Sequence, residues 1–256
     1  MNILAIGDIV GERTVAYLSE RLWHYRRENN IDMVIANGEN ADKISGIDAQ
    51  TAKELLSSGV DVITGGNHTL RKRNLYPLLE SNKNILRPAN LPPMVPGSGY
   101  TITDAASYRI LIINLQGTVG MEPLDSPFAC ADRILEREAG KFDLAVMDIH
   151  AEATSEKLAL ARYLDGRINA IFGTHTHVQT ADETILPGGT AYITDLGMSG
   201  PTDGILGVRS DCAITKLMTK MPVKFEVADG PIQVCGAVIS LNPQKRRALS
   251  IKRVTF

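Results

Sequence analysis

The sequence predicts an α/β protein, and three features carry that prediction. Short uninterrupted runs of Ile, Val and Leu recur through the chain, each of strand length and bounded by polar residues or glycine. Segments with apolar residues three and four apart separate several of these runs. From about residue 190 the helical segments give out and the chain turns β-rich. Runs that are apolar on both faces, alternating with helices, imply a central sheet covered on both sides. The late strands suggest a second sheet packed on the first rather than a separate domain.

Taken in order, "NILAIGD" reads as the first strand. Glu12–Asn29 follows as a helix, with Val15, Leu18, Leu22 and Tyr25 on one face. "MVIANGE" is a strand, Ala49–Ser58 a helix and "VDVITGGN" a third strand. "RILIINL" and "LAVMDIH" are further buried strands, "EKLALARYL" is a short helix, and "INAIFGTH" is another strand. The late strands are "TAYITDLG", "VKFEVADG", "PIQVCGAVISL" and "ALSIKRVTF", with turns at "VADGP" and "NPQKRR". No linker, repeat or low-complexity segment divides the chain, so residues 1–256 read as one domain.

Composition narrows the function. The 256 residues are 44% hydrophobic and 22% charged, with a net charge of −2. That balance argues against a non-specific nucleic-acid or membrane-surface binder, which needs a basic excess. An aromatic content of 5% leaves little for base stacking along a nucleic-acid strand. No apolar run is long enough to span a membrane. "MNILAIGDIVGER" lacks the charged start of a signal peptide. Cys130, Cys212 and Cys235 are scattered and odd in number, as expected of reduced thiols in a cytoplasmic protein.

The chemistry gathers at the carboxyl ends of the apolar runs. "ILAIGD" ends in Asp8, "MVIANGEN" in Glu39 and Asn40, "VITGGNH" in Asn67 and His68, "LAVMDIH" in His150, and "AIFGTHTH" in His175 and His177. Four of the five histidines stand at such ends. Ligands of open α/β sheets bind beyond the carboxyl ends of the strands. His175 and His177 therefore read as two ligands of one site, with strand alternation separating their directions. Two carboxylates, carboxamides and several imidazoles make a mixed N/O donor set. It suits iron, manganese or zinc better than calcium or magnesium. The set is too large for one ion. With two divalent ions, two carboxylates and a hydroxide, the site keeps about one net positive charge and should attract an anion such as a phosphate ester.

This series resembles the calcineurin-like metallophosphoesterases. Asp8, Glu39, "GNH" 66–68, His150 and "GTHTH" 173–177 follow the family's order. The usual Asp-x-His opening is replaced by Asp8-Ile9-Val10, and "GENADK" stands where a Gly-Asp motif is usual. Those departures, with "GDIVG", "NGEN", "RPAN", "HAEATSEK", "GTHTHVQT" and "YITDLGMSGP", resemble the YmdB-like branch along the whole chain.

The resemblance implies an α/β/β/α sandwich of two packed sheets and a binuclear centre. Its cofactors would be two divalent or mixed-valence ions, iron or manganese ahead of zinc. Glu39 would bridge them. Asp8, Asn40 and His177 would complete one shell, with Asn40 in the place of the missing histidine; Asn67, His150 and His175 would complete the other. His68 would face the substrate as proton donor while a hydroxide between the ions attacks phosphorus. The implied substrate is a small phosphodiester, 2′,3′-cyclic nucleotides foremost. No membrane partner and no stable nucleic-acid complex is expected, and a homo-oligomer is left open.

Each residue also has an ordinary explanation. Asp8 could cap the helix at Glu12, Asn40 could hold a loop, and His150 alone would read as a core histidine. His24 reads as a surface helix residue, and Arg71–Arg73 as a solvated face. Glu152, Ser155, Lys157 and Asp195 are candidates for supporting groups around the histidines. Two other hydrolase classes fit poorly: a binuclear amidohydrolase places His-x-His near its start, and "HTHVQT" lacks the Asp-His of a metallo-β-lactamase. The remaining alternative is a metal-loaded regulatory or scaffold protein with little turnover. His68 speaks against it, because a purely structural site needs no spare acid.

Overall fold

The computed structural model describes all residues 1–256. In chain order the elements begin with β1 (Asn2–Ile6), β2 (Asp8–Ile9), α1 (Glu12–Glu28), β3 (Met33–Asn37), α2 (Ala49–Ser57), β4 (Val62–Thr64), α3 (Tyr76–Ser81), β5 (Tyr100–Ala105) and β6 (Tyr108–Gln116). Then come α4 (Pro127–Arg137), β7 (Leu144–His150), α5 (Thr154–Tyr163), β8 (Ala170–Thr174), β9 (Thr184–Ile185), β10 (Ala191–Ile193) and β11 (Met198–Pro201). The chain closes with α6 (Ser210–Thr219), β12 (Ile232–Gln233), β13 (Cys235–Asn242) and β14 (Arg247–Thr255).

Two large sheets pack face to face. The first has the order β14-β13-β1-β3-β4 and the second β5-β6-β7-β8-β10-β9. Their facing sides meet in one core, where Ile3, Ala5, Met33 and Ile35 pack with Ile110, Ile112, Val146 and Phe172. The alternate residues of the same strands point outward. Leu4, Ile6 and Val34 meet Val15, Leu18 and Leu22 of α1 and Leu55 of α2. Leu111, Ala145 and Met147 meet Cys130 and Ile134 of α4 and Leu160 of α5. The result is the α/β/β/α sandwich. Every run is apolar on both faces because one face meets helices and the other meets a sheet.

The layering corrects one expectation from the sequence. No single sheet is covered by helices on both sides, and the late strands do not form a sheet of their own. β13 joins the first sheet beside β1, antiparallel, with Ile6 opposite Gly236. β10 joins the second, parallel to β8. "VKFEVADG" forms no strand; its Val227 makes only an isolated bridge to Val208, with Arg209 N–H donating to Glu226 O at 2.9 Å and Ala228 N–H to Gly207 O at 2.8 Å, and residues 221–226 are largely solvent-facing. α4 and α6 are additional helices; α4 carries a helical pattern in its sequence, with Ser126 as cap and Pro127, Cys130, Ala131, Ile134 and Leu135 on one buried face.

Local expectations hold elsewhere. Val15, Leu18 and Leu22 are buried on α1, and Tyr25 stacks on Phe256 with ring centroids 3.9 Å apart. Asp8 does not cap that helix: Gly11 does, at φ +80 and with no side-chain bond. A small third sheet, β12-β11-β2, sits where β1 runs on into β2. There Asp8 lies parallel to Met198.

Candidate metal centre

Five of the sequence-derived residues, Glu39, Asn40, His68, His175 and His177, line one cavity of about 240 Å³; Asp8 and His150 contact them from outside its lining, and Asn67 contacts His150. Glu39 and Asn40 follow β3, Asn67 and His68 follow β4, and His150 closes β7. Both large sheets therefore contribute to one rim.

The tightest part is built around His150, which is fully buried. Its Nε2 stands 3.0 Å from Asn67 Oδ1, 3.0 Å from His175 Nδ1 and 3.2 Å from Glu39 Oε1. Glu39, His150 and His175 form a group whose donor atoms all lie within 4.8 Å of one another. Donor atoms aimed at one point at such spacing suit a shared cation.

The second part is looser. His177 Nε2 is 3.8 Å from Asp8 Oδ1 and 3.4 Å from the Asn40 amide nitrogen. Asp8 Oδ2 accepts from the His175 backbone N–H at 3.0 Å, but Asp8 Oδ1 is buried with no hydrogen-bond partner. A buried carboxylate oxygen without a partner is costly. Here it faces two imidazoles, His177 and His150 Nδ1 at 3.9 Å. That orphaned oxygen and the mixed N/O donor set fit a bound divalent ion.

Electrostatics agree. Burial would raise the Glu39 carboxyl, but His150 and His68 beside it hold it down at about 2. Burial disfavours the His150 cation, yet Glu39, Asp8 and Asp148 outweigh it and push the ring up to about 9. Burial and the neighbouring His150 cation press His175 down to about 4. Asp8 is raised by burial, against the pull of His177 and His150.

The loop that carries the two histidines differs from expectation. β8 ends at Thr174, so strand alternation does not set their directions. His175 and His177 instead adopt positive φ, 103° and 65°. Such backbone is unfavourable for a residue with a Cβ and persists where surrounding contacts enforce it. Lys157, fully buried on α5, supplies some of them: its Nζ donates to Thr174 O at 2.8 Å and to Asp195 Oδ2 at 2.8 Å. Asp195 Oδ2 also accepts from the backbone N–H and hydroxyl of Thr176, at 3.1 and 2.8 Å. Asp195 thus supports the histidines through the residue between them, without touching either ring.

Three supporting residues carried no signal that was read. His150 Nδ1 faces the Thr174 hydroxyl at 3.0 Å, and that hydroxyl donates to Asp148 Oδ1 at 2.8 Å. Asp148 also accepts from Asn37 Nδ2 at 3.0 Å, and Asn37 Oδ1 accepts from the Glu39 N–H at 3.1 Å. Burial raises Asp148 to about 6 despite these donors. A lone charge inside the apolar run "LAVMDIH" was the available clue. Among the other candidates, Glu152 Oε2 reaches His175 Nε2 at 3.1 Å, while Ser155 borders a different cavity.

His68 stands apart from the tight group. Its Nδ1 lies 2.9 Å from Asn40 Oδ1, its Nε2 has no hydrogen-bond partner, and the ring borders the cavity half-buried. Burial lowers its pKa, with Glu39 working against that. Gly66 leaves the room this requires: a Cβ there would sit 2.2 Å from His150 and 2.4 Å from Glu39. The lining also includes the apolar side chains of Leu206, Val208 and Phe225, with Leu206 O 3.2 Å from His177 Nδ1. No Arg or Lys lines the cavity. Arg71 and Lys72 are engaged elsewhere, with Ser45 and Asp42, and His24 pairs with Glu28 on the surface.

Comparison with known proteins adds an independent line. A family model described as "YmdB-like protein" matches residues 4–254. The 2′,3′-cyclic-nucleotide 2′-phosphodiesterase of Bacillus subtilis is 44% identical over 254 residues, covering 99% of this chain and 96% of that protein. A crystal structure of a hypothetical protein from Thermus thermophilus superposes with a TM-score of 0.94 at 38% identity, covering 100% of this chain and 99% of that one. A crystal structure described as a novel phosphatase from Mycoplasma pneumoniae superposes with a TM-score of 0.93 at 30% identity, covering 100% and 93%.

Proposed function

The chain belongs to the YmdB-like family, and from that premise we propose that it is a metal-dependent phosphodiesterase acting on 2′,3′-cyclic nucleotides. The observation that carries the reading is the cavity itself. Candidate ligands, a separate imidazole and apolar side chains line it, and no Arg or Lys is present. Enzymes for dianionic monoesters surround the phosphoryl oxygens with cations. A diester monoanion needs fewer.

Glu39, Asp8, Asn40 and His177 would hold one ion, and Glu39, Asn67, His150 and His175 the other, with iron or manganese as the proposed metals. Bound ions would supply Lewis-acid polarisation of the phosphoryl oxygens and an activated water. The chain's own residues do the rest. Asn40 Oδ1 accepts from the Nδ1 side of His68, so Nε2 delivers a proton to the leaving oxygen only from the doubly protonated ring, a form that burial disfavours and Glu39 favours. Thr174, backed by Asp148, holds the His150 imidazole in one tautomer. Leu206, Val208 and Phe225 offer an apolar surface to a base.

The test is a side-by-side rate comparison of 2′,3′-cyclic, 3′,5′-cyclic and monoester nucleotides on metal-loaded enzyme. The proposal expects 2′,3′-cyclic esters to turn over best. A clear preference for monoesters overturns it, and the absence of turnover on every ester favours the regulatory or scaffold alternative.

A further inference from the structure

A second cavity, of about 520 Å³, lies against α4 and shares no lining residue with the metal cavity. Arg87 borders it and is only 7% exposed. Its Nη1 donates to Pro88 O at 2.8 Å, and its Nη2 reaches Val95 O only at 3.5 Å. Its Nε is buried and meets no acceptor. Buried cations are ordinarily paired with carboxylates, and buried donors are ordinarily satisfied. Arg87 has neither: the acidic groups that act on it are the Cys130 thiol and Glu80, and neither forms an ion pair with it.

Two more guanidinium groups border the same cavity, Arg133 and Arg137, one turn apart on α4, and no Asp or Glu lines it. Arg133 is shared with exposed Asp125 at 3.4 Å, and Arg137 with Glu138 at 3.7 Å. Both side chains are mostly solvent-facing. The remaining border includes Tyr100, Ile134 and Pro93.

We infer that this cavity is a binding site for a phosphomonoester, held by Arg87, Arg133 and Arg137. Guanidinium forks match phosphate oxygens in pairs, and three of them suit a dianion. The volume falls in the range of small-molecule sites. Tyr100, Ile134 and Pro93 give the organic part of the ester an apolar side. The contrast with the metal cavity is chemical: there, ligand residues and no Arg; here, three Arg and no metal ligand set. The inference does not depend on which ester the metal centre cleaves.

The test titrates inorganic phosphate, glycerol phosphate and a nucleoside 3′-monophosphate into metal-loaded protein, then into protein stripped with a chelator. Phosphate also binds divalent ions, so stripping should remove one calorimetric component and leave the other. The surviving component should weaken about tenfold or more in the Arg133→Ala, Arg137→Ala double variant, which loses two charge-assisted contacts. Metal content and diester turnover of that variant should be unchanged. As a second reading, phosphomonoester should raise the melting temperature of stripped wild type, as any ligand of the native state does, and leave that of the double variant unmoved. Tighter binding of the organic esters than of phosphate would assign the apolar side to their organic part, and equal binding would assign a bare phosphate seat. No binding to stripped wild type, or equal binding by the double variant, overturns the inference.

Discussion

His150 and Thr174 meet across the second sheet, with the imidazole Nδ1 3.0 Å from the hydroxyl and the hydroxyl in turn donating to Asp148. This relay fixes which ring nitrogen faces the cavity. Thr174→Val keeps shape and removes the acceptor. It should lower metal affinity about 10–100-fold, the usual loss when an outer partner of a ligand histidine is removed. Metal titration of the folded variant measures it. Wild-type affinity would show that the ring needs no such support.

The distinction between acid and ligand can be separated at His68. His68→Ala should keep two ions yet lose about 10²–10⁴-fold in turnover, the range for a positioned proton donor. The loss should shrink for p-nitrophenyl esters, whose leaving group needs little protonation. Loss of metal in this variant would make His68 a ligand and displace Asn67 from that role.

Glu39 touches both halves of the site, His150 at 3.2 Å and the Asn40 amide at 3.1 Å. Glu39→Gln should therefore weaken both ions together, and His177→Ala chiefly one. Elemental analysis of protein purified without chelators gives the count. One tightly held ion in fully loaded wild type contradicts a binuclear centre.

Without metal, the His150 ring titrates near 9 and His175 near 4. At pH 7.5 the first ring carries a proton that a metal must expel, and the second does not. Metal affinity should rise with pH up to about 9, with proton release traceable to His150 by calorimetry in buffers of different ionisation heat. The sign for folding is the reverse. A histidine whose pKa is raised above 6.5 stabilises the metal-free fold at low pH, and that contribution is lost as pH rises through about 9. Metal affinity independent of pH between 6 and 9 (about three proton-concentration decades) would contradict the assignment.

Phe225 is the one aromatic residue on the cavity wall. Phe225→Ala should raise KM for nucleotide 2′,3′-cyclic esters about tenfold, as expected where a base loses a stacking partner. It should leave KM for a base-free ribose cyclic phosphate unchanged. Equal effects on both substrates would remove the base from this wall.

The candidate ligands were legible because each is a polar residue that ends an apolar run, a pattern that side-chain chemistry alone displays. Asn37, Asp148 and Thr174 were not, because they sit inside runs and their partners come from other strands. The division into two sheets was hidden for a related reason. An uninterrupted apolar run says that both faces are buried but not against what, and the pairing of Ile6 with Gly236 has no local trace. Phe225 lies in "VKFEVADG", whose composition suits a strand, yet only its Val227 bridges to a neighbour, Val208. The positive φ of His175 and His177 is likewise imposed by distant Lys157 and Asp195, not by local preference.

The place of β1 has a consequence for how the molecule is made. β1 is flanked by β3 on one side and by β13 on the other, so a strand around Leu4 waits for one around Val238 to complete its ladder. Contacts this distant in sequence are slow to form, and an unpaired apolar strand invites aggregation meanwhile. Asp8 follows β1 after Gly7, so the placement of this carboxylate depends in part on a pairing made far along the sequence. A chain synthesised only as far as His177 would carry every candidate ligand on a first sheet that still lacks β13.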